Sequence, residues 1–181
     1  MAGMRYVALL RGINVGGRSV IRMADLKECF EALGYDQVST FIASGNVLFE
    51  TRERDAAKLE SALEGALEQR FGLPITVVVR TRAELARVVQ AIPADWMGND
   101  GLRVYVAFLR RSRDGRTLAR DFPPKEGVDQ LVATRSALIW ATRRDALTRS
   151  GMQELVRTAV YRDMTARNLK TTLKLQELLS R

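Results

Sequence analysis

The run Tyr6-Val7-Ala8-Leu9-Leu10-Arg11 returns, nearly unchanged, as Tyr105-Val106-Ala107-Phe108-Leu109-Arg110. A second echo follows in the same order. Phe41-Ile42-Ala43-Ser44 matches Leu131-Val132-Ala133-Thr134, and Val47-Leu48-Phe49 matches Ala137-Leu138-Ile139. Short β-prone runs resemble one another by composition alone, but two echoes in one order point to a duplicated α/β unit. Only the first copy carries a glycine-rich tail, Gly12-Ile13-Asn14-Val15-Gly16-Gly17. An odd loop in one copy of a repeat is where function is sought.

The local patterns fill in that unit. Arg5 to Leu10 reads as a strand apolar on both faces, and the three-glycine loop follows it. Leu26, Cys29, Phe30 and Leu33 form one stripe of a helix from Ala24 to Leu33, stopped by Gly34. Val38 to Ile42 and Val47 to Phe49 are short strands around the hairpin composition Ala43-Ser44-Gly45-Asn46. A longer helix from Asp55 to Phe71 buries Leu59, Leu63 and Leu67 and ends at Gly72, and Pro74 to Val79 closes the unit as a strand. After a helical stretch, Ala83 to Ala91, and a Pro93/Gly98/Gly101 linker, the pattern restarts. Strand Leu102 to Leu109, a basic segment and a hairpin at Gln130 to Ala133 and Ala137 to Ala141 lead to a closing helix from Ala166 to Leu179, capped by Thr165.

The order β-α-β-β-α-β is the ferredoxin-like split unit. The expected fold is therefore α+β: two related ferredoxin-like (split β-α-β) halves with antiparallel sheets, an internal duplication, over residues 1–80 and 102–181, with a connecting helix and linker at 81–101. A lone sheet of this kind leaves one face to solvent. The first strands are apolar on both, so the second face should be covered, by the other half or in a homo-oligomer.

Composition removes whole classes of chemistry. The 181 residues include no histidine and one cysteine. Ser-His and Cys-His nucleophiles and histidine-ligated metals are thereby excluded, and neither a structural zinc site nor an intramolecular disulfide can be assembled. Cys29 falls on an apolar helical stripe, as a core residue does. The carboxylate series Asp25, Glu28, Glu31 and Glu60, Glu64, Glu68 read as solvated helix faces. No catalytic constellation is identifiable, and neither a metal nor a cofactor is expected. No apolar run has membrane-spanning length, and the first residues lack the pattern of a signal peptide, so no membrane association and a cytoplasmic location are expected.

The net charge of +8 is uneven: residues 1–90 carry 12 basic against 11 acidic side chains, and 91–181 carry 17 against 10. A basic second half suits an acidic partner such as nucleic acid. Against that, 24 of the 29 basic residues are arginine, as codon usage alone produces, and few aromatics lie among them to stack on bases.

In the split unit, the end of the first strand and the hairpin between the second and third strands lie at one edge of the sheet. Topology thus places Arg11, Gly12, Asn14, Gly16 and Gly17 beside Ser44, Gly45 and Asn46. Glycines let backbone amides approach a ligand, and such amides beside an arginine suit a phosphate or carboxylate. The loop is neither G-x-G-x-x-G nor a P-loop, so no named nucleotide mechanism follows; Asn14 and Asn46 would equally serve to satisfy loop amides. A third candidate, Thr165 with Arg167 and Asn168, combines a helix start with a cation and an amide.

LLRGINVGG, IASGNVLFE and MTARNLKTTLKLQELL together resemble an uncharacterised bacterial family catalogued as domain of unknown function 1697. The resemblance spans the chain, with R-G-I-N-V-G-G its most specific piece and T-x-R-N the next. It implies two related ferredoxin-like halves and brings no activity, substrate or cofactor. Relatives tend to carry an aromatic after the final R-N, where this chain has Leu169.

These residues lead to a binding or regulatory module for an anionic small ligand, a nucleotide among the candidates, at Arg11 to Gly17 and Ser44 to Asn46. Three other functions are compatible with them: nucleic-acid binding through the basic half, a histidine-free enzyme acting on a phosphorylated substrate, and a protein-interaction module.

Overall fold

The structure is a computed structural model, and it describes residues 3–17 and 19–181. The chain divides into two compact units, one running through Leu85 together with Leu175–Arg181, the other Ala86–Lys174. Among the described residues, no helix is long and apolar enough to cross a membrane.

The first unit contains β1 (Met4–Leu10), α1 (Met23–Ala32), β2 (Asp36–Phe41), β3 (Asn46–Thr51), α2 (Ala56–Phe71) and β4 (Val77–Thr81). Its sheet has the order β2-β3-β1-β4 with every neighbour antiparallel. The helices cover one face. There Tyr6, Ala8 and Leu10 of β1 join Phe30, Phe49, Leu59 and Leu63 in one core, with the Tyr6 and Phe49 rings stacked at 5.6 Å. Residues on both faces of β1 are buried, as its apolar run required.

Local chemistry sets the helix limits. The Asp55 carboxylate accepts from the amides of Ala57 and Lys58 at the start of α2. Gly72, at φ 66°, ends that helix in the left-handed conformation. In α1 the expected stripe is buried at Leu26, Cys29 and Phe30, whereas Leu33 sits at the C-cap and is exposed. The expected closing strand shifts to Val77–Thr81 and passes directly into α3 (Arg82–Gln90). A reciprocal cap makes that junction: Thr81 Oγ1 accepts from the Glu84 amide at 3.1 Å, and Glu84 Oε2 accepts from the Thr81 amide at 2.9 Å.

The second unit repeats the plan with β5 (Leu102–Leu109), α4 (Gly115–Asp121), β6 (Asp129–Ala133), β7 (Ala137–Arg143), the short α5 (Met152–Val156) and β8 (Met164–Asn168), followed by α6 (Leu169–Ser180). Its order, β6-β7-β5-β8, matches the first sheet strand for strand. The registers match as well. Tyr6 faces Phe49 where Tyr105 faces Trp140, and Val7 faces Arg80 where Val106 faces Arg167. Both sheets therefore realise the expected α+β class, two antiparallel sheets with flanking helices in similar halves.

Two expectations are corrected. Thr165 to Asn168 is not a helix start but strand β8, paired with β5, and the α6 cap is Asn168, whose Oδ1 accepts from the Thr171 amide at 2.8 Å. The apolar spacing of the following helix extends backwards into residues that the sheet claims. Nor is the α2 carboxylate series a solvated face throughout, since Glu68 alone of the three is exposed. Glu60 is buried, with its Oε1 accepting from the Val79 amide at 2.9 Å, and Glu64 accepts from the Val77 amide at 2.9 Å. Val78 and Arg80 face β1, so the alternate amides of β4 point outward, and these glutamates satisfy them.

Candidate functional site

The two loops expected at one edge of the first sheet do meet there. At the end of β1 the Leu10 amide donates to the Gly45 carbonyl at 2.8 Å and the Arg11 amide to the Thr76 carbonyl at 2.9 Å. The chain then turns through Gly12 at φ 71° and drives Ile13 into the core. Ile13 lies against Gly45. A Cβ added to Gly45, itself at φ 79°, would stand 2.8 Å from Ile13 Cδ1 and 2.9 Å from Leu10 Cβ. Glycine is thus required at this position by both backbone and space.

The asparagines are braces. Asn14 Nδ2 donates to the carbonyls of Ala43 at 2.8 Å and Ile21 at 3.0 Å, while its Oδ1 accepts from the Ile21 amide at 2.8 Å. Asn46, fully buried, donates from Nδ2 to the Phe41 carbonyl and to Ser44 Oγ, both at 3.0 Å. Asn14 therefore ties the glycine loop to the hairpin, and Asn46 closes the hairpin on itself. Gly12, Gly16 and Gly17 of the braced loop are exposed, as is the side chain of Val15, and the three glycine amides meet no acceptor among the described residues. Arg11 stands half-buried at the start of the same loop.

The third candidate belongs to the other unit. Arg167 is buried on β8, and burial lowers its pKa to about 10. Its Nη1 donates to Thr165 Oγ1 at 2.7 Å and to the Ala166 carbonyl at 2.9 Å. Arg80 makes the corresponding bond in the first unit, Nη1 to the Val79 carbonyl at 2.8 Å. Each arginine caps the outward carbonyl of the residue before it on an edge strand. Arg167 thus closes the β8 edge, and Asn168 holds α6.

Sequence reasoning missed a cleft of about 610 Å³ in the second unit, beside the starts of β5 and α6. Trp96, Arg103, Tyr105, Arg144, Asn168 and Lys170 help to line it. These residues come from four separate stretches, so no local motif announces them. The available signal was the repeat itself, which equates Tyr105 with the fully buried Tyr6. Among the described residues no group of carboxylates and thiol is placed to hold a metal ion.

A family model described as "Protein of unknown function (DUF1697)" matches residues 4–139. A solved structure, that of the conserved bacterial protein SP0830 from Streptococcus pneumoniae, is similar at 25% identity with a TM-score of 0.82, over 97% of this chain and 98% of that one. No match is found among curated protein sequences.

Proposed function

The chain belongs to the family of proteins of unknown function DUF1697, which supplies no activity to start from, and we propose that it is a cytoplasmic binding module for an anionic small ligand held where Arg11–Gly17 meets Ser44–Asn46. The observation that carries this reading is the set of exposed glycines, Gly12, Gly16 and Gly17, whose amides meet no acceptor among the described residues, on a loop braced by Asn14 and by the Ile13–Gly45 packing. Amides fixed before binding lose little entropy on meeting a ligand. A phosphate or carboxylate accepts from several of them at once, and the Arg11 guanidinium adds a charge-assisted bond.

The matching strand orders and registers support reading the halves as copies of one ferredoxin-like unit, of which the first carries the ligand loop. Asn14, Gly45 and Asn46 then build the site without touching the ligand. A titration of nitrogen-15-labelled protein with inorganic phosphate, pyrophosphate and a nucleoside triphosphate tests the proposal. Saturable shifts at Gly12, Gly16 and Gly17, abolished in a folded Arg11→Ala variant, are expected. Amides that stay still through the whole series overturn it.

A further inference from the structure

We propose that the cleft of the second unit is a separate binding site for a nucleoside monophosphate, independent of the loop site above.

Tyr6 and Tyr105 occupy the same register position, yet their surroundings differ. Tyr6 is fully buried, and its hydroxyl donates to the Glu53 carbonyl just before α2. Between β7 and β8 there is no counterpart of the 16-residue α2; the chain runs through two 3-10 stretches and the five-residue α5. Tyr105 is left half-exposed at the cleft. The Arg103 guanidinium lies 5.4 Å from its ring centroid and donates to its hydroxyl at 2.9 Å. Trp96 supplies an apolar wall, since its indole N–H is already spent on Gln130 Oε1 at 2.8 Å.

The polar groups suit a phosphate. Arg103, Arg144 and Lys170 are exposed in the cleft, and none has a carboxylate within ion-pair distance among the described residues; Asp100, also in the lining, is beyond that distance from all three. Other arginines of this unit do take carboxylates: Arg143 pairs with Asp145 at 2.5 Å and Arg113 with Asp163 at 2.6 Å. Three cations against one carboxylate leave an excess of two positive charges in the lining. A phosphate monoester carries about −1.5 to −2 near neutrality. Asn168 spends its Oδ1 on capping α6 and keeps its Nδ2 as a further donor. A volume of 610 Å³ falls within the range of small-molecule clefts. The adjacent aromatic and cationic groups match a ligand that joins a ring to a phosphate.

The test is a titration of labelled protein with AMP, with adenosine and inorganic phosphate as separate arms. The Trp96 indole N–H resonance, assigned with Trp96→Phe, and the Lys170 amide should shift saturably with AMP. Adenosine or phosphate alone should bind at least about tenfold more weakly, and Arg144→Ala with Lys170→Ala should weaken AMP by a similar factor. Both substitutions are at exposed positions, and an unchanged melting temperature would confirm that the variant folds. Failure of Trp96 and Lys170 to respond, equal binding of AMP and phosphate, or undiminished AMP binding in the double variant overturns the proposal. The loop site is read separately from Gly12, Gly16 and Gly17, so either proposal can fail alone.

Discussion

Glu60 reaches from α2 to the outer edge of β4, where its Oε1 accepts from the Val79 amide at 2.9 Å and lies 3.9 Å from Arg80 Nη1. One buried carboxylate thus satisfies an edge amide and balances a buried cation. Burying a charge is costly unless it is paired and hydrogen-bonded, and leaving a strand edge unpaired invites association with other chains.

Removing that buried carboxylate should be among the most destabilising changes in the first unit. Glu60→Ala is expected to cost about 3–5 kcal/mol, because it orphans the Val79 amide and takes a carboxylate away from beside the buried Arg80 guanidinium. Glu60→Gln, which retains an acceptor for the amide, should cost less. Urea unfolding of the two variants measures the difference, and equal losses would show that a neutral acceptor for the Val79 amide contributes nothing and that the charge accounts for the whole effect.

Gly45→Ala should destabilise by about 1–3 kcal/mol, because the new methyl meets Ile13 and Leu10 and the residue is held at positive φ. Shortening Ile13 to valine in the same chain should recover part of the loss. A double-mutant cycle by thermal denaturation would expose the coupling, and strict additivity would contradict the packing described above.

Asp129 predicts an acid-sensitive second unit. Burial opposes its ionisation, but the Gly151 amide at 2.8 Å and the hydroxyls of Ser150 at 2.7 Å and Thr142 at 2.8 Å outweigh that and hold its pKa below the ordinary carboxylate value. Since folding lowers this pKa, the stabilisation is complete above the unfolded value of about 3.9 and drains away as pH falls through the folded one. Asp129→Asn should therefore cost about 1–3 kcal/mol at neutral pH. Melting curves against pH should show the wild type and the variant converging below about pH 4.

Asn168→Ala removes the side-chain acceptor at the start of α6 and should cost about 1 kcal/mol. Thr165→Val, at the position first read as the cap, should leave the α6 amides unaffected. Amide exchange in the first turn of α6 separates the two.

Ile42 offers a stabilising change. It is exposed yet sits at φ 50°, a conformation that a β-branched residue adopts only under strain. Ile42→Asn should raise stability by roughly 1 kcal/mol, measurable as a higher denaturation midpoint. A lower midpoint would mean that the isoleucine side chain contributes more than the strain costs.

The repeat, the helix stops at Gly34 and Gly72 and the meeting of the two loops were all legible in the residues, because each follows from local conformational preference or from strand order. Cys29 was placed in the core by its helical stripe. The role of Glu60 was hidden: charge at helical spacing looks solvated until a strand edge is known to lie against it. The end of β8 was hidden for the same reason, since Thr165 to Asn168 has the composition of a helix start and becomes a strand only by pairing with β5.

The sequence by itself determined the two-part plan, the strand order of the first sheet and the exclusion of histidine chemistry, because periodicity, turn residues and composition act over a few residues. Tertiary structure alone decided which polar groups are braces and which face outward. Asn14 and Asn46 became scaffold, Glu60 an edge cap and Tyr105 the wall of a cleft, because a side chain's hydrogen-bond partners and burial depend on residues tens of positions away that only packing brings near.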